Sequence, residues 1–197
     1  MAEVARTPDR ISNLACVAAR LRFDGRHYWL LKRHEKWGDW SFVGGHVEAD
    51  EFSDWLATAR REAEEELAPL RWGVHFDVRP LPAPESVWGP EPSRSSGGIP
   101  TRYHARWYFL EFLIDPIECF CSLPRGEFIL VDEDRLASQR DRDVTNLVDR
   151  LRDALPKGLG AVPYAWDQKE LPPAWPIERR DASGHDRIFP RSALPSR

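Results

Sequence analysis

The segment from residue 53 to residue 69 constrains the fold of this chain more than any other. Apolar residues recur in it at helical spacing, at Leu56, Ala59, Ala63 and Leu67, and this pattern predicts an amphipathic helix. Ser53 is the expected N-cap. Pro69 is expected to end the helix because the residue before a proline resists the α region. A helix with one apolar stripe must bury that stripe against another layer of structure.

Strand-like runs on both sides of this helix supply such a layer. Branched and aromatic residues predict strands at 14–23, 27–33, 72–78, 103–114 and 128–131. Asp24-Gly25 is a hairpin signal between the first two of them. Residues 143–155 predict a second amphipathic helix, whereas Pro80 to Pro100 predicts a long loop. The expected fold class is therefore α/β.

Composition limits the kind of protein. A chain of 197 residues, 42% of them hydrophobic, can bury a sizeable core. Its net charge of −4 does not favour binding to duplex nucleic acid or to an anionic membrane. Residues 1–10 lack the apolar stretch of a signal peptide. Together with the charge, this favours a protein without membrane association. Three cysteines, Cys16, Cys119 and Cys121, cannot all pair, so we expect reduced thiols and a cytoplasmic location.

The chain divides into three expected regions. Residues 1–10 form an N-terminal arm, residues 11–155 a globular domain, and residues 156–197 a proline-rich C-terminal tail. The tail holds seven prolines together with Trp166 and Trp175, and it shows no regular period. Because prolines lack a backbone donor, we expect the tail to be extended and to lie outside the core.

Three glutamates of the first helix carry the strongest chemical signal. At about 100° per residue, Glu62, Glu65 and Glu66 share an arc of about 100°, and Glu64 points away from it. Like charges this close repel each other, and a hard divalent cation relieves the repulsion. A run of glutamates is also common on an ordinary solvated helix face, so the run alone leaves both interpretations open.

The residues around these glutamates resemble the Nudix box. Gly45 corresponds to the box glycine, Glu51 to the first glutamate, Arg61-Glu62 to the Arg-Glu pair, Ala63 to the apolar position and Glu65-Glu66 to the paired glutamates. The likeness runs from Gly45 to Pro69 and departs from the pattern twice. Nine residues, 52–60, stand where the family has seven, and Ala68-Pro69 replaces a glycine and an apolar residue.

This resemblance implies a fold and a reaction. The fold is an α/β/α sandwich around a mixed β-sheet, formed by roughly residues 11–155. The reaction is hydrolysis of a phosphoanhydride bond in a nucleoside diphosphate linked to another group, with Mg²⁺ or Mn²⁺ as cofactor. Glu62, Glu65, Glu66 and the Gly45 carbonyl are the implied metal ligands, and Glu65 or Glu66 is the preferred proton acceptor. Arg61 and Glu51 count with Glu65 and Glu66 as the implied catalytic residues, and we expect the longer loop to fold back over the helix start so that Arg61 pairs with Glu51.

Other residues are candidates for substrate contacts. Aromatic and basic side chains suited to a base or a phosphate are Trp37, Trp88, Arg94, Arg102 and Tyr103, with Lys32, Arg33 and Arg106 as further phosphate candidates. For each, packing or a solvated surface is the competing interpretation. Glutamates outside the box that merit the same test are Glu111, Glu118 and Glu127. His46 and His104 are expected to be structural.

Three functions stay open at this stage. The first is an enzyme that acts on a small nucleotide-like diphosphate, as a monomer or a homodimer. The second is a catalytically silent Nudix-fold ligand-binding module, which the altered box favours. The third is an unrelated adaptor that binds proteins through its proline-rich tail.

Overall fold

A computed structural model describes residues 10–23, 26–114, 119, 122–124, 126–138, 144–167, 177–180 and 186–189. The strands are β1 (Arg10–Phe23), β2 (Arg26–Arg33), β3 (Trp40–Ser41), β4 (Val43–His46), β5 (Phe76–Pro80), β6 (Ser86–Pro92), β7 (Pro100–Phe112), β8 (Phe128–Asp132), β9 (Tyr164–Asp167), β10 (Ile177–Arg180) and β11 (Asp186–Phe189). The helices are α1 (Trp55–Glu66), α2 (Glu133–Ser138) and α3 (Leu147–Ala154), and 3₁₀ turns cover Ala49–Glu51 and Leu159–Ala161.

The long strand β1 organises a mixed sheet. Its N-terminal half pairs parallel with β7 and antiparallel with β4. Its C-terminal half pairs antiparallel with β2 and parallel with β9. β7 also pairs with β5 and β6, and β2 with β3 and β8. The site therefore rests on a strand that is held along both edges.

Helices cover the two faces of this sheet. Alternate residues of β1 and β7, such as Val17 and Leu110, pack with Ala59 and Ala63 of α1 in one buried cluster. The opposite face carries a second cluster that joins sheet residues to α3 through Val148 and Leu151. This alternation follows from the two-residue period of a strand. It confirms the α/β/α sandwich around a mixed sheet.

The predicted helix is found with a different cap. It begins at Trp55 rather than at Ser53, and the Asp54 side chain accepts a hydrogen bond from the Ala57 backbone N–H at 3.0 Å. The expectation that Ser53 caps it was wrong because the 3₁₀ turn Ala49–Glu51 and its following turn use up residues 49–53. The two extra residues lie in this connection, and helix α1 itself is uninterrupted.

Two further expectations about local structure were wrong. Residues 80–100 are not one long loop, because β6 forms on the edge of β7 and buries Trp88. The strand predicted from Trp72 begins only at Phe76, and Trp72 is 42% exposed. In both places pairing with β7 determines where the strand forms. The sequence of a single strand does not show which partner it will pair with. The predicted hairpin turn Asp24-Gly25 lies outside the described residues.

The first part of the tail completes the core. Leu159, Val162 and Ala165 are buried, and β9 pairs with β1. The expectation that residues 156–197 lie outside the core was therefore wrong for residues 156–167. Apolar residues at 159, 162 and 165 carry this packing despite the neighbouring prolines.

A buried ion pair fixes this region. Arg20, 5% exposed, binds Glu133 through its Nε at 2.6 Å and its Nη2 at 2.8 Å. Its Nη1 donates to the Gly160 and Val162 carbonyls at 3.0 and 3.2 Å. Trp29 Nε1 donates to Glu133 at 2.9 Å. One guanidinium thus joins β1, α2 and the segment leading to β9, and its charge is fully partnered.

Two remaining sequence features have a structural counterpart. Cys16 is a buried free thiol and Cys119 is buried as well, and burial raises the pKa of Cys16 to about 12. Within the described ranges, no helix combines the length and the apolar character needed to cross a bilayer.

Candidate active site

The Gly45 backbone lies directly against the first glutamate of α1. A Cβ atom built on Gly45 would lie 2.3 Å from the carboxyl carbon of Glu62, far inside van der Waals contact. A side chain on Gly45 would therefore displace this carboxylate, which is the free end of a flexible side chain. Strand β4 and helix α1 are therefore in close contact where the box glycine, Gly45, lies beside Glu62 of the Arg-Glu pair.

The neighbouring glycine serves a different purpose. Gly44 has φ +140°, and a Cβ there would lie 2.1 Å from the Ala15 carbonyl oxygen of β1. Its N–H donates to Glu66 Oε2 at 2.8 Å, and Lys32 Nζ lies 3.3 Å from Glu66 Oε1. Both oxygens of Glu66 are thus held, one by the β4 backbone and one by a side chain from β2.

The predicted pair between Arg61 and Glu51 is confirmed. Arg61 Nε and Nη2 donate to the two carboxylate oxygens of Glu51, each at 3.0 Å. Thr58 Oγ1 and the Glu48 N–H donate to the same carboxylate. The hydrogen bonds from Arg61 are the main reason that the pKa of Glu51 is lowered to about 2. The lengthened loop does fold back over the helix start.

Arg61 also neutralises the glutamates that follow it. Its Nη1 lies 2.9 Å from Glu62 Oε1 and 3.5 Å from Glu65 Oε2. Burial raises the pKa of Glu62, Arg61 opposes that rise, and the charges of Glu66 and Glu65 add to it. The three helix-borne carboxylates are therefore close enough to influence one another, as the helical arc predicted.

The donor chemistry at this point suits a hard divalent cation. Glu62, Glu65 and Glu66 offer carboxylate oxygens and Gly45 offers a carbonyl oxygen, and such ligands are preferred by Mg²⁺. In the part of the chain that the structure describes, no three acidic, histidine or cysteine side chains converge on one point. Arg61 instead pairs with Glu62 and Glu65, and Lys32 pairs with Glu66, so a cation would exchange with these positive side chains.

A pocket of about 690 Å³ opens beside the glutamates. Gly44, Gly45 and Glu66 form one side of it, and Trp88 and Tyr103 line it as well. Because the same cavity reaches both the Glu66 carboxylate and an aromatic wall, a diphosphate and an attached ring can occupy it together.

The structure brings four of the five predicted substrate residues to this pocket. These are Trp37, Trp88, Arg94 and Tyr103. Arg102 does not line it, because alternation along β7 turns Tyr103 to the pocket and its exposed neighbour Arg102 to the other face. Lys32 and Arg33 line the pocket, whereas Arg106 lies over the Trp55 ring of α1.

The aromatic residues are already engaged with protein groups. Trp88, 7% exposed, stacks on Tyr103 at 5.2 Å between ring centroids, and the Arg150 guanidinium lies 5.2 Å from its ring. Trp37 has the Arg94 guanidinium 4.5 Å from its ring centroid, and Arg94 binds Asp39 at 2.6 Å. Trp88 is therefore a wall of the pocket, and the partly exposed Tyr103 offers more ring surface to a ligand.

The remaining acid and histidine candidates lie in different surroundings. Glu111 pairs with Arg79, Glu127 is exposed, and Glu118 lies outside the described residues. His104 pairs with Glu85 at 2.7 Å, and neither lines the pocket, whereas His46 does. No pocket role is visible for Glu111, Glu127 or His104.

Sequence reasoning missed two acidic residues that line the pocket. Asp39 and Glu91 both belong to it. Glu91 lay in a segment interpreted as a loop, where a lone acid carries no positional signal. Its spacing of three from Trp88 becomes informative only once the pairing of β6 is known.

Similarity to known proteins agrees with this geometry. Residues 13–121 match the NUDIX domain family, and no curated protein matches the chain in sequence. Similar solved structures include the Ap4A hydrolase of C. elegans, with 17% identity, a TM-score of 0.43 and coverage of 64% of this chain and 85% of that one. The NUDIX domain of Shewanella oneidensis NrtR complexed with ADP ribose has 16% identity, a TM-score of 0.42 and coverage of 76% and 90%.

The same NrtR complexed with a 27mer DNA has 16% identity and a TM-score of 0.45, with coverage of 71% of this chain and 60% of that one. This chain thus spans less than two thirds of the DNA-bound protein. The sequence match covers more than half of the chain and includes Gly45, Glu51, Arg61 and Glu62. The protein belongs to the Nudix family.

Proposed function

We propose that this protein is a metal-dependent hydrolase that cleaves a phosphoanhydride bond in a nucleoside diphosphate linked to another group. Membership of the Nudix family supports hydrolysis of an acid anhydride in general. The residues of the site support the narrower proposal, which includes the cation and a nucleotide-like small-molecule substrate.

The observation that carries the proposal is the contact between helix α1 and the two glycines of β4, Gly44 and Gly45. Glu62 occupies the space beside Gly45, and Glu66 is held by the Gly44 N–H. Glu66 and both glycines open into one pocket. A helix glutamate held at the side of a ligand-sized cavity, with Glu62 and Glu65 on the same arc of the helix, supports phosphate chemistry, whereas a solvated helix face would have no such cavity.

Glu62, Glu65, Glu66 and the Gly45 carbonyl would hold Mg²⁺ or Mn²⁺. When bound, the cation supplies positive charge to the phosphate oxygens and lowers the pKa of a coordinated water. The structure supports this ligand set through the oxygen chemistry of the donors and through their mutual influence on the pKa of Glu62.

The protein side chains have separate roles in this proposal. Arg61, tied to Glu51, is a positioning residue that keeps the loop on the helix. Lys32 exchanges Glu66 for a phosphate oxygen when substrate enters. Of the two glutamates expected to accept a proton, Glu65 is the less engaged, being 61% exposed with Arg61 at 3.5 Å, whereas Glu66 lines the pocket and is held by Lys32 and the Gly44 N–H.

The experiment is a screen of nucleoside diphosphate derivatives with Mg²⁺ or Mn²⁺, with products identified by mass. We expect metal-dependent release of a nucleoside monophosphate, abolished by a chelator and reduced at least about 100-fold in Glu66→Gln. Glu64→Gln is the matched control, since Glu64 is exposed on the same helix and points away from the site. Hydrolysis by Glu66→Gln at the wild-type rate would overturn the proposed site.

A silent binding module is the second candidate, and one contact favours it. The ion pair between Lys32 and Glu66 already satisfies a carboxylate that catalysis would need for the cation. Binding of nucleotides without turnover, in both Mg²⁺ and Mn²⁺, would support this candidate over the enzyme.

A further inference from the structure

A bulge in β6 brings an acidic side chain into the pocket. Trp88 pairs with Tyr103 of β7, but Glu91 pairs with Thr101, so the register shifts by one residue between them. In a regular strand, residues three apart point to opposite faces. The extra residue in the bulge turns Glu91 to the face of Trp88, and both line the pocket.

The bulge depends on a glycine. Gly89 has φ +95°, and a Cβ on it would lie 2.5 Å from the Thr101 carbonyl oxygen. Another residue would strain the backbone and clash with β7. The local backbone is thus built in a form that places Glu91 beside Trp88.

Glu91 retains acceptor capacity in the pocket. Its Oε1 accepts a hydrogen bond from Trp88 Nε1 at 3.0 Å, and this is the one hydrogen bond that the structure gives its side chain among the described residues. A carboxylate has about four lone-pair sites and, when ionised, no donor. Glu91 can therefore accept further N–H or O–H groups from a ligand but cannot donate to one.

Charge sets the direction in which a nucleotide lies. Lys32 and Arg33 line the glutamate side of the pocket, and with the cation that Glu66 would help to hold they offset the charge of Glu66 and supply positive charge for phosphates. The negative charge of Glu91 repels phosphates, and its proximity to the aromatic pair Trp88 and Tyr103 favours a planar ring. The phosphates therefore face Glu66 and the base faces Glu91.

We propose that Glu91 selects the base, and that the preferred base is guanine. Guanine presents two adjacent donors, N1–H and N2–H₂, that match the two oxygens of a carboxylate. Adenine and cytosine each place a ring acceptor next to their amine, which a carboxylate repels, and uracil and hypoxanthine offer a single N–H. This inference rests on the proposed function, because it assumes a nucleotide in the pocket.

The test compares GMP with IMP, which differ only by the N2 amine and contain no phosphoanhydride bond to hydrolyse. Binding to the full chain is measured by calorimetry in Mg²⁺. A hydrogen bond to a charged acceptor changes affinity by about 10-fold to 100-fold. We expect the wild type to bind GMP at least about 10-fold more tightly than IMP, and AMP no better than IMP.

Glu91→Gln is the matched variant, because glutamine keeps an oxygen for Trp88 Nε1 while it loses the charge and one acceptor. We expect its preference for GMP over IMP to fall below about threefold, while Glu64→Gln keeps the wild-type ratio. Equal affinities of the wild type for GMP and IMP, an unchanged preference in Glu91→Gln, or no binding of either nucleotide would overturn the inference. Binding does not need turnover, so a protein that prefers GMP but hydrolyses nothing would contradict the proposed function alone.

Discussion

The carboxylate of Glu62 occupies the space that a side chain on Gly45 would need, with 2.3 Å between the carboxyl carbon and an added Cβ. The two residues are 17 positions apart in sequence, so neither constrains the other until α1 has docked on β4. A glycine that was identified by a spacing pattern therefore also leaves the space in which the Glu62 carboxylate lies.

This relationship predicts the effect of Gly45→Ala. The added methyl displaces only the carboxylate end of Glu62, so we expect a loss of less than about 1 kcal/mol in the free energy of unfolding but at least about 10-fold weaker Mn²⁺ binding. Urea unfolding and calorimetry measure the two effects. Gly160→Ala is the control, since its Cβ would meet nothing closer than the Arg20 guanidinium at 4.0 Å. Unchanged Mn²⁺ affinity in Gly45→Ala would show that Glu62 is not a ligand of the metal.

The ion pair of Glu51 and Arg61 predicts a pH-dependent stability. The folded pKa of Glu51, about 2, lies below its ordinary value of 4.5. A lowered folded pKa contributes stability that is present above about pH 4.5 and is lost as pH falls towards 2. We expect Glu51→Gln to be less stable than the wild type at pH 6, with the difference shrinking between pH 5 and pH 3. Urea unfolding across this range measures it. A difference that grows on acidification would contradict the assignment.

A basic residue of the pocket predicts a change in substrate affinity. Arg94 lines the pocket, where it lies over Trp37 and binds Asp39, and we expect its positive charge to attract a substrate phosphate. We expect Arg94→Ala to raise KM about 10-fold with a smaller change in kcat and no change in metal dependence, because it removes binding rather than the chemical step. Arg102→Ala is the control, since Arg102 is exposed and does not line the pocket. Equal KM values for the two variants would show that Arg94 does not contribute to substrate binding.

The buried pair of Arg20 and Glu133 predicts a large loss of stability. Glu133→Ala leaves the Arg20 charge buried without its carboxylate, so we expect a loss of about 3–5 kcal/mol in the free energy of unfolding. Asp149→Ala breaks a more exposed pair with Arg152 on α3 and is expected to lose less than about 1 kcal/mol. Thermal or urea unfolding of both variants tests the contrast. Losses of similar size would show that burial of the pair adds nothing.

The helix and its metal face were predictable because their information is local. The stripe of Ala59 and Ala63 and the arc of Glu62, Glu65 and Glu66 depend only on helical geometry. The pairing of Arg61 with Glu51 also followed from the box pattern, and the structure confirms it.

The pocket wall was not predictable from local patterns. Trp88 was found, but its neighbour Glu91 was missed because a register shift against β7 decides where Glu91 points. Val162 and Ala165 were placed outside the core because prolines around them suggested an extended tail, whereas an open edge of β1 was available for pairing. Both errors concern contacts between segments that are distant in sequence. A short stretch of sequence does not show such contacts.

The parallel pairing of Arg20 in β1 with Tyr164 in β9 has a consequence during synthesis. Translation proceeds at about 5–20 residues per second, so on the order of 10 seconds separate the appearance of β1 from that of the strand that covers its C-terminal edge. Until then the nascent chain presents an unpaired strand edge, a known template for aggregation. The order of synthesis therefore leaves this edge of β1 uncovered until β9 has emerged, whereas refolding of the full chain from denaturant starts with β9 present.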